Sequence, residues 1–239
     1  DAIISPTEAA ASFLDRAATV VPHGVDTDLY RPPPDRAAAF AATGLPGRYA
    51  IGVFGRVRPQ KGTDVFVQAM CRLLPRYPDF TAVIIGRMAA EQGAFAVDLK
   101  QQVAAAGLAD RVRFLGELPI EEVPRWYQVL TIYVFASRNE GFGLTLIEAM
   151  AAGCALVAAR AGAADKVVTE GETGLLVPTG DADALVAALE PLMRDPARAS
   201  TLGMRARERA MSTFSIEAEV DGIVAVYRAL WQAIAARRR

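Results

Sequence analysis

The sequence has few of the residues that build metal sites, disulfide frameworks or membrane spans. It contains two cysteines and one histidine in 239 residues. Neither Cys71 nor Cys154 has a Cys or His partner nearby in the chain, so a zinc site or disulfide framework is not expected and a reduced, cytoplasmic chain fits best. The most apolar stretch, 146–164, is interrupted by Glu148, Arg160 and two glycines. Because a membrane-spanning helix needs about 20 apolar residues, this stretch does not predict one.

The chain also lacks an excess of either charge. Lysine and arginine number 26, aspartate and glutamate number 27, and the formal net charge is −1. No basic field is available to hold nucleic acid, so no nucleic-acid partner is expected. The composition, with 52% hydrophobic and 22% charged residues, excludes the disordered and fibrous classes and predicts a globular protein.

Short apolar runs alternate with longer helical patterns along most of the chain. The runs are 51–55, 82–86, 112–116, 132–136, 155–158 and 174–177. The helical stretches between them are about 63–74, 91–106, 120–129 and 144–152. Repeated strand–helix–strand units predict an α/β fold, a Rossmann-like parallel sheet with helices on both faces. Since ligands of such sheets bind at the carboxyl ends of the strands, we expect the chemistry in the loops that follow the strands.

The two ends of the chain differ from this pattern. Residues 1–21 indicate strand, helix (7–14) and strand, and are interpreted as the remnant of a preceding domain. Towards the other end, helices are predicted over 182–193, 196–211 and 216–236. The terminal arginines 237–239 suit either a contact with an anionic membrane or, more simply, a solvated helix end whose cations oppose the dipole. Because the chain starts at Asp1 and not at a methionine, we expect it to be part of a longer protein.

The first candidate site follows the first of the six apolar runs. The segment 55–62 reads GRVRPQKG, and a helix is predicted to start after Gly62. Helix N-termini bind anions through free backbone N–H groups, so Arg56 and Lys61 predict a cradle for a diphosphate. The spacing is neither that of a P-loop nor G-x-G-x-x-G, which argues against a nicotinamide dehydrogenase. A surface turn with incidental cations is the alternative.

The second candidate site follows the fourth apolar run. The segment 139–153 reads NEGFGLTLIEAMAAG, in which Gly141 and Gly143 allow a ligand to approach the backbone closely. Glu148 lies about one turn inside a helix, in an apolar stretch, where a carboxylate must be paired or hydrogen-bonded. Either sugar hydroxyls or protein donors would satisfy it. Glu140 and Glu148 are eight positions apart, which fits two ends of one extended ligand better than a paired acid–base mechanism.

Together these segments resemble the retaining glycosyltransferases with the GT-B fold that carry an E-x7-E motif, a group that includes mannosyltransferases and sucrose synthases. Glu140 to Glu148 matches that motif, and 55–62 matches the G-R-x-x-x-x-K-G element of the same group. Three further segments match in order, RFLG at 113–116, GCALVA at 153–158 and EGETGLLV at 170–177. The resemblance covers almost the whole chain and is strongest to the mannosyltransferases of bacterial lipopolysaccharide core assembly.

The resemblance implies roles for the matched residues. Arg56 and Lys61, next to Gly55, would bind the donor diphosphate and stabilise the leaving nucleotide, because that group gains negative charge in the transition state. Glu140 would contact hydroxyls of the transferred sugar, and Glu148 would hold the ribose hydroxyls. The backbone amides that would face the sugar and phosphate are those of Gly141, Phe142, Gly143 and Leu144.

The resemblance also implies the donor nucleotide. The loop that starts at Gly116 would hold the base, and Glu121 or Glu122 would accept hydrogen bonds from N1–H and N2–H of guanine, as in GDP-mannose. No D-x-D motif is present, so no metal and no cofactor besides the donor substrate is expected. The alternatives are a UDP-sugar-dependent glucosyl- or galactosyltransferase and a non-catalytic nucleotide-sugar-binding or assembly module; the E-x7-E pattern opposes a nucleotide-sugar epimerase.

The GT-B group has two Rossmann-like domains with the active site in the cleft between them. By this comparison 1–21 is the remnant of the N-terminal domain, 22–215 binds the nucleotide sugar, and 216–239 is a helix that would cross back to the missing domain. Contacts to a glycan or glycolipid acceptor would lie in that domain, so we expect donor binding but little transfer by this chain alone. The apolar residues expected to be exposed on the last helix, and to favour oligomerisation, include Val224, Leu230 and Trp231. The resemblance places the enzyme in the cytoplasm or at the inner face of the cytoplasmic membrane.

Three further residues have an interpretation that favours structure over function. His23, the only histidine, lies in the hinge-like segment PHGVD at 22–26 and is assigned a packing role in preference to ligand contact. Trp126 and Tyr127 lie on a predicted helix, where core packing is favoured over stacking on a base.

Overall fold

Residues 2–88 and 92–237 are described by a computed structural model. The first part contains β1 (Ile3–Ser5), α1 (Glu8–Ala11) and β2 (Ala18–Val20). The central part contains α2 (Arg36–Ala41), β3 (Tyr49–Phe54), α3 (Thr63–Leu73), β4 (Phe80–Ile85), α4 (Gly93–Ala105), β5 (Val112–Gly116), α5 (Val123–Val129), β6 (Leu130–Phe135), α6 (Leu144–Ala151), β7 (Ala155–Ala159), α7 (Ala164–Val167) and β8 (Leu175–Val177). The last part contains α8 (Ala182–Arg194), α9 (Pro196–Thr213) and α10 (Ile216–Arg237).

Six of the strands form one parallel sheet in the order β5-β4-β3-β6-β7-β8. The strand order reverses between β3 and β6. In sheets of this kind a ligand crevice forms at that point, outside the carboxyl ends of the strands. Every residue of β4 and β6 is buried, because strands covered on both faces carry continuous apolar runs and not an alternating pattern. The predicted α/β class with a Rossmann-like parallel sheet is therefore confirmed.

Helices cover both faces of this sheet and form two core layers. Phe66 of α3, Leu99 of α4 and Leu189 of α8 are fully buried in one layer. Tyr127 of α5 and Met150 of α6 are fully buried in the other. The two layers hold α6 and the loops at the carboxyl ends of the strands in place, and these are the elements that carry the predicted site.

Two helices begin later than predicted. The helix predicted over 120–129 begins at Val123, because Pro124 occupies its first turn, where a missing N–H costs no hydrogen bond. The helix predicted over 91–106 begins at Gly93, and the predicted first residue lies outside the described part of the chain.

The short helix α2 was not predicted, and its residue Arg36 forms hydrogen bonds with the ends of α5 and α6. Asp35 caps α2 by accepting hydrogen bonds from the backbone N–H groups of residues 37 and 38. The Arg36 guanidinium donates to the carbonyl oxygen of Tyr127 at 3.2 Å and to that of Ala152 at 2.7 Å. These carbonyls belong to the C-terminal ends of α5 and α6, so one cation ties together the two helices that line the candidate site.

The ends of the chain are only partly as predicted. β1 and β2 form a two-stranded parallel sheet apart from the large one, and the helix between them is the single turn of α1, shorter than the predicted 7–14. The domain boundaries 1–21, 22–215 and 216–239 remain predictions.

The last helix, α10, exposes apolar side chains, as predicted, but only one of the three that were named is fully among them. Trp231 is 74% exposed, and Val220, Tyr227 and Ile234 are exposed as well, whereas Val224 and Leu230 are partly buried. Arg238 and Arg239, two of the three terminal arginines, lie outside the described residues. Within the described ranges, no helix combines the length and the apolar character that crossing a bilayer requires.

Candidate functional site

A cavity of about 370 Å³ opens at the carboxyl ends of β3, β4 and β5, the edge at which a ligand site was expected. α5 and α6 contribute to its lining through Tyr127, Thr145 and Glu148. Tyr30, from the segment before α2, also lines it. The cavity thus combines the strand ends, the first turns of α6 and a residue from outside the predicted motifs.

One wall of the cavity is built from the same two-residue pattern three times. Each of β3, β4 and β5 ends at or next to a glycine with a positive φ angle, and a charged residue follows. The pairs are Gly55-Arg56, Gly86-Arg87 and Gly116-Glu117, with glycine φ angles of 135°, 146° and 76°. All three charged residues line the cavity. Arg56 was predicted from the sequence, whereas Arg87 and Glu117 were not. The signal that could have found them is the repeat of glycine plus charge after successive strands.

The close packing of this wall depends on the absence of a side chain at Gly86. A Cβ atom there would lie 2.0 Å from the carbonyl oxygen of Gly55. No side chain fits at that distance, so the two loops can only lie side by side with glycine at this position. This contact sets the spacing between Arg56 and Arg87.

Glu148 is the half-buried carboxylate of the site. The Tyr127 hydroxyl donates a hydrogen bond to its Oε2 atom at 2.8 Å, and the Tyr30 hydroxyl donates a second one. Burial raises the pKa of the Glu148 carboxyl above its ordinary value, and the two tyrosine hydrogen bonds lower that pKa and so oppose part of the rise. Protein donors therefore fill some of the hydrogen-bond acceptor positions of this carboxylate. A carboxylate accepts about four hydrogen bonds, so capacity remains for ligand hydroxyls from the cavity.

Tyr127 packs in the core, which the sequence favoured over stacking on a base, and it also has a polar contact at the site. Its ring is fully buried and packs on Phe54, with ring centroids 4.3 Å apart. Its hydroxyl nevertheless binds Glu148 at the cavity wall. Burial is the main reason that the pKa values of Tyr30 and Tyr127 are raised, so both hydroxyls stay protonated and keep donating.

Replacing Tyr30 with phenylalanine is expected to raise the pKa of Glu148. The change removes one of the two hydrogen bonds that stabilise the ionised carboxylate, and it leaves the burial in place. A carbon-detected NMR titration of the Glu148 carboxyl measures this pKa directly. Tyr49→Phe is the matched control, because Tyr49 lies at the opposite end of β3. An unchanged Glu148 pKa in Tyr30→Phe would show that the Tyr30 hydroxyl does not support the carboxylate.

The two predicted motifs meet in an ion pair. The Lys61 ammonium contacts the Glu140 carboxylate, and each side chain is only 20% exposed. Gly62 makes this possible, because a Cβ atom there would lie 1.9 Å from the carbonyl oxygen of Ala136 at the end of β6. Neither Lys61 nor Glu140 lines the cavity itself; the pair lies next to it, between the starts of α3 and α6. Lys61 and Glu140 were predicted to bind separate parts of a ligand, and in the structure their side chains contact each other.

The loop before α6 presents its backbone and not its aromatic side chain. Gly143 precedes α6 with a φ of 87°, and no side chain caps that helix. The Leu146 N–H donates to the Gly143 carbonyl oxygen, which leaves the N–H groups of Leu144 and Thr145 available to an anion. The Phe142 ring packs edge-on against the His23 ring, with centroids 5.2 Å apart, and near Phe214. Gly141, Phe142, Gly143 and Leu144 do not line the cavity, but the next residue, Thr145, does.

His23 has the packing role that the sequence favoured. Besides its contact with Phe142, its Nδ1 atom lies 3.2 Å from a carboxylate oxygen of Glu219 in α10. The other oxygen of Glu219 accepts a hydrogen bond from the Gly24 N–H at 2.9 Å. The histidine therefore links the last helix to the loop before α6.

The loop after β5 contributes differently from what was predicted. Glu121 is exposed and is not among the residues that line the cavity. Glu117, Leu118 and Ile120 of the same loop do line it. The contact of Glu121 with a base stays a prediction, and the acidic residue of this loop that lines the cavity is Glu117.

Known proteins share this arrangement of elements. The family described as Glycosyl transferases group 1 matches residues 35–209. Lipopolysaccharide core biosynthesis mannosyltransferase LpcC of Rhizobium leguminosarum bv. viciae is 50% identical over 230 residues, which are 96% of this chain and 65% of that protein. Lipopolysaccharide core biosynthesis mannosyltransferase LpsB of Rhizobium meliloti (strain 1021) is 44% identical over 233 residues, 96% of this chain and 66% of that protein. The chain thus spans just under two thirds of the length of these two relatives.

A crystal structure shows the same fold in a separated domain. The C-terminal domain of a glycosyl transferase group 1 family protein, LpcC from Francisella tularensis, matches with a TM-score of 0.78 at 36% identity, over 81% of this chain and 100% of that one. The family match covers more than half of the chain, and the solved domain has the same parallel sheet with helices around it. The chain therefore belongs to the glycosyl transferases of group 1, as the C-terminal, Rossmann-like half of their GT-B fold.

Proposed function

We propose that this chain is the donor-binding half of a retaining mannosyltransferase that takes mannose from GDP-mannose and transfers it to lipopolysaccharide core or a related glycan. The observation that carries the proposal is the cavity at the carboxyl ends of β3 to β5, whose lining includes both the half-buried Glu148 and the cation Arg56. A carboxylate for ribose hydroxyls and a guanidinium group for phosphates in one cavity is the arrangement that a nucleotide sugar needs. The names of the two Rhizobium relatives support mannose as the transferred sugar.

In this proposal each part of the donor meets a group already in place. Glu148, oriented by Tyr30 and Tyr127, accepts hydrogen bonds from the ribose hydroxyls. Arg56 and the uncapped N-terminus of α6 bind the diphosphate. Lys61 reaches the same phosphates from the start of α3.

The Lys61–Glu140 pair would change partners when the donor binds. Without donor, the ammonium and the carboxylate neutralise each other in a half-buried position. A diphosphate carries more negative charge than one carboxylate, so it would attract Lys61 and leave Glu140 to accept hydrogen bonds from the sugar hydroxyls. Lys61 and Arg56 would then stabilise the nucleotide as it leaves with growing negative charge, which is the main catalytic effect required of this half.

Transfer itself requires more than this chain in our proposal. The acceptor and its contacts would belong to the N-terminal half that the relatives contain and this chain does not span. The complete enzyme would work in the cytoplasm or at the inner face of the cytoplasmic membrane. In it, α10 would contact the N-terminal half or a second copy of the chain. An assay of mannose transfer with and without the N-terminal half distinguishes an enzyme from a binding module.

Calorimetric titration of the chain with GDP, GDP-mannose, UDP and UDP-glucose tests the donor. Saturable binding of the guanine pair alone is the expected result. Preference for the uracil pair would retain a glycosyltransferase and replace mannose with a UDP-linked sugar. Binding of none of the four would contradict the proposal that this half has a preformed donor site.

Changing Lys61 to alanine is expected to weaken GDP-mannose binding by about tenfold to a hundredfold, since a hydrogen bond to a charged group contributes about 1.5–3 kcal/mol. Lys100→Ala is the matched control, because Lys100 lies on α4 and its ammonium is over the Phe114 ring. Equal affinities of the Lys61 and Lys100 variants would exclude a phosphate contact for Lys61.

A further inference from the structure

We infer that Glu117 selects guanine in the donor nucleotide. This inference rests on the proposed donor site and adds the residue that decides which base enters it. The loop after β5 was expected to hold the base through Glu121 or Glu122. In the structure the acidic residue of this loop that lines the cavity is Glu117, directly after Gly116.

The charges on this wall are unpaired. Arg56, Arg87 and Glu117 all line the cavity, yet none of them forms an ion pair with any residue in 2–88 or 92–237. Opposite charges that share a cavity without pairing leave their hydrogen-bonding capacity for a ligand. All three side chains are exposed, so a ligand that presents hydrogen-bond donors to the carboxylate and acceptors to the guanidinium groups can reach them.

The order of the strands places these charges in a line. β5, β4 and β3 are neighbours in the sheet, so Glu117, Arg87 and Arg56 follow each other along its carboxyl edge. Two inter-strand spacings separate the first from the last, about 10 Å. This length is comparable with that of a nucleoside from its base edge to its 5′ oxygen. A nucleotide whose phosphate lies at Arg56 would thus have its base at Glu117.

The surroundings of Glu117 suit a flat aromatic base. Leu118 and Ile120 line the cavity next to it, and Ile120 is 74% exposed. An apolar side chain this exposed at the mouth of a polar cavity offers surface on which a base can pack. Val123 adds a further apolar contact from the start of α5.

Guanine matches the charges of this end of the cavity better than uracil does. Guanine presents two adjacent donors, N1–H and the N2 amino group, to which one carboxylate can bind with both oxygens. Its O6 and N7 atoms are acceptors, and arginine commonly binds both. Uracil has a single N3–H donor between two carbonyl oxygens, and these would face the carboxylate without a proton. Glu117 therefore favours guanine and disfavours uracil, with Arg87 placed for the acceptor edge.

The test compares GDP, IDP and UDP by calorimetry on the 239-residue chain, because IDP lacks only the 2-amino group of GDP. We expect the wild type to bind GDP about tenfold or more tightly than IDP or UDP, since a site built for a donor rejects a ligand that lacks it. Glu117→Gln should reduce that preference to about threefold or less. Asp110→Asn, the same change of charge before β5 at the other end of the strand, should preserve it.

The other outcomes would contradict the role of Glu117, the choice of guanine or the proposed function, as follows. A wild type that prefers GDP, with the preference intact in Glu117→Gln, would overturn the inference and leave the proposed function standing. Loss of the preference in Glu121→Gln but not in Glu117→Gln would overturn it in favour of Glu121. A wild type that prefers UDP would overturn the choice of guanine, and a wild type that binds none of the three would contradict the proposed function itself. Because Glu117 is exposed, its substitution should leave the unfolding midpoint unchanged, which a thermal melt verifies.

Discussion

Replacing Gly62 with alanine is expected to reduce the free energy of unfolding by about 3–5 kcal/mol. Gly62 has a φ of 66°, in the left-handed region that costs an L-residue roughly 1–2 kcal/mol. The new Cβ atom would also lie 1.9 Å from the carbonyl oxygen of Ala136, so β6 and the start of α3 would have to separate. Urea denaturation of the wild type and the variant measures the loss.

Gly44→Ala separates the two causes of this loss. Gly44 has the same φ of 66°, but no atom lies within 4 Å of the position that its Cβ would take. It should therefore cost only the backbone strain, about 1–2 kcal/mol. Equal losses at the two positions would show that the contact with Ala136 does not matter. The contact also holds Lys61 near Glu140, so Gly62→Ala should weaken donor binding as well, whereas Gly44→Ala should not.

The second large effect is expected at Glu148. Glu148→Gln keeps the size of the side chain and removes the charge that would bind the ribose hydroxyls. The glutamine carbonyl can still accept one of the two hydrogen bonds, and the lost bond to a carboxylate contributes about 1.5–3 kcal/mol, so the affinity for GDP-mannose should fall about tenfold to a hundredfold. Calorimetry measures the affinity, and Glu172→Gln in the exposed turn before β8 is the control.

The pH dependence of the same variant gives an independent result. Burial raises the pKa of Glu148 in the folded protein, so ionisation is less favourable there than in the unfolded chain. Below the pKa that Glu148 has in the unfolded chain, the group is protonated in both states and ionisation does not reduce stability. As the pH rises from that value to the higher pKa in the folded protein, the loss of stability grows. The free energy of unfolding of the wild type, relative to that of Glu148→Gln, should therefore decrease as the pH rises through this interval. A difference that does not change with pH would contradict the raised pKa.

Donor binding should show the opposite preference for pH. The ionised form of Glu148 accepts hydrogen bonds from ribose, so the wild-type affinity should fall as the pH is lowered through its raised pKa. The weak binding of Glu148→Gln should not change over the same interval. If both results hold, Glu148 lowers stability at the pH at which it is needed for binding, a cost that functional sites often carry.

The sheet and most of its helices could be predicted because their signals are local. A strand buried on both faces needs a continuous apolar run, and each of the six runs predicted from the sequence overlaps a strand of the sheet and extends at most one residue beyond it. The short helix α2 was missed because its six residues carry little periodicity, and its position depends on the contacts of Arg36 with α5 and α6. The start of α5 differs from the predicted one because Pro124 occupies the first turn of that helix.

The candidate site was predictable in its motifs and not in its contacts. Arg56 and Glu148 were found because each follows a strand within a recognisable pattern, and both line the cavity. Tyr30 was missed because no motif contains it, and its partner Glu148 is far away in the chain. Glu117 was missed because the loop also contains Glu121 and Glu122, and only the path of its backbone decides which carboxylate enters the cavity.

The sequence by itself determined the parallel α/β architecture, the edge of the sheet at which a ligand would bind and the family to which the chain belongs. It could do so because apolar periodicity, glycine positions and helix starts are properties of short segments. Only the tertiary structure decided that Lys61 pairs with Glu140, 79 residues away, and that two tyrosines hold Glu148. Such contacts depend on how the two core layers bring strand ends and helices together, and hydrogen bonds and ion pairs require distances that no sequence spacing specifies.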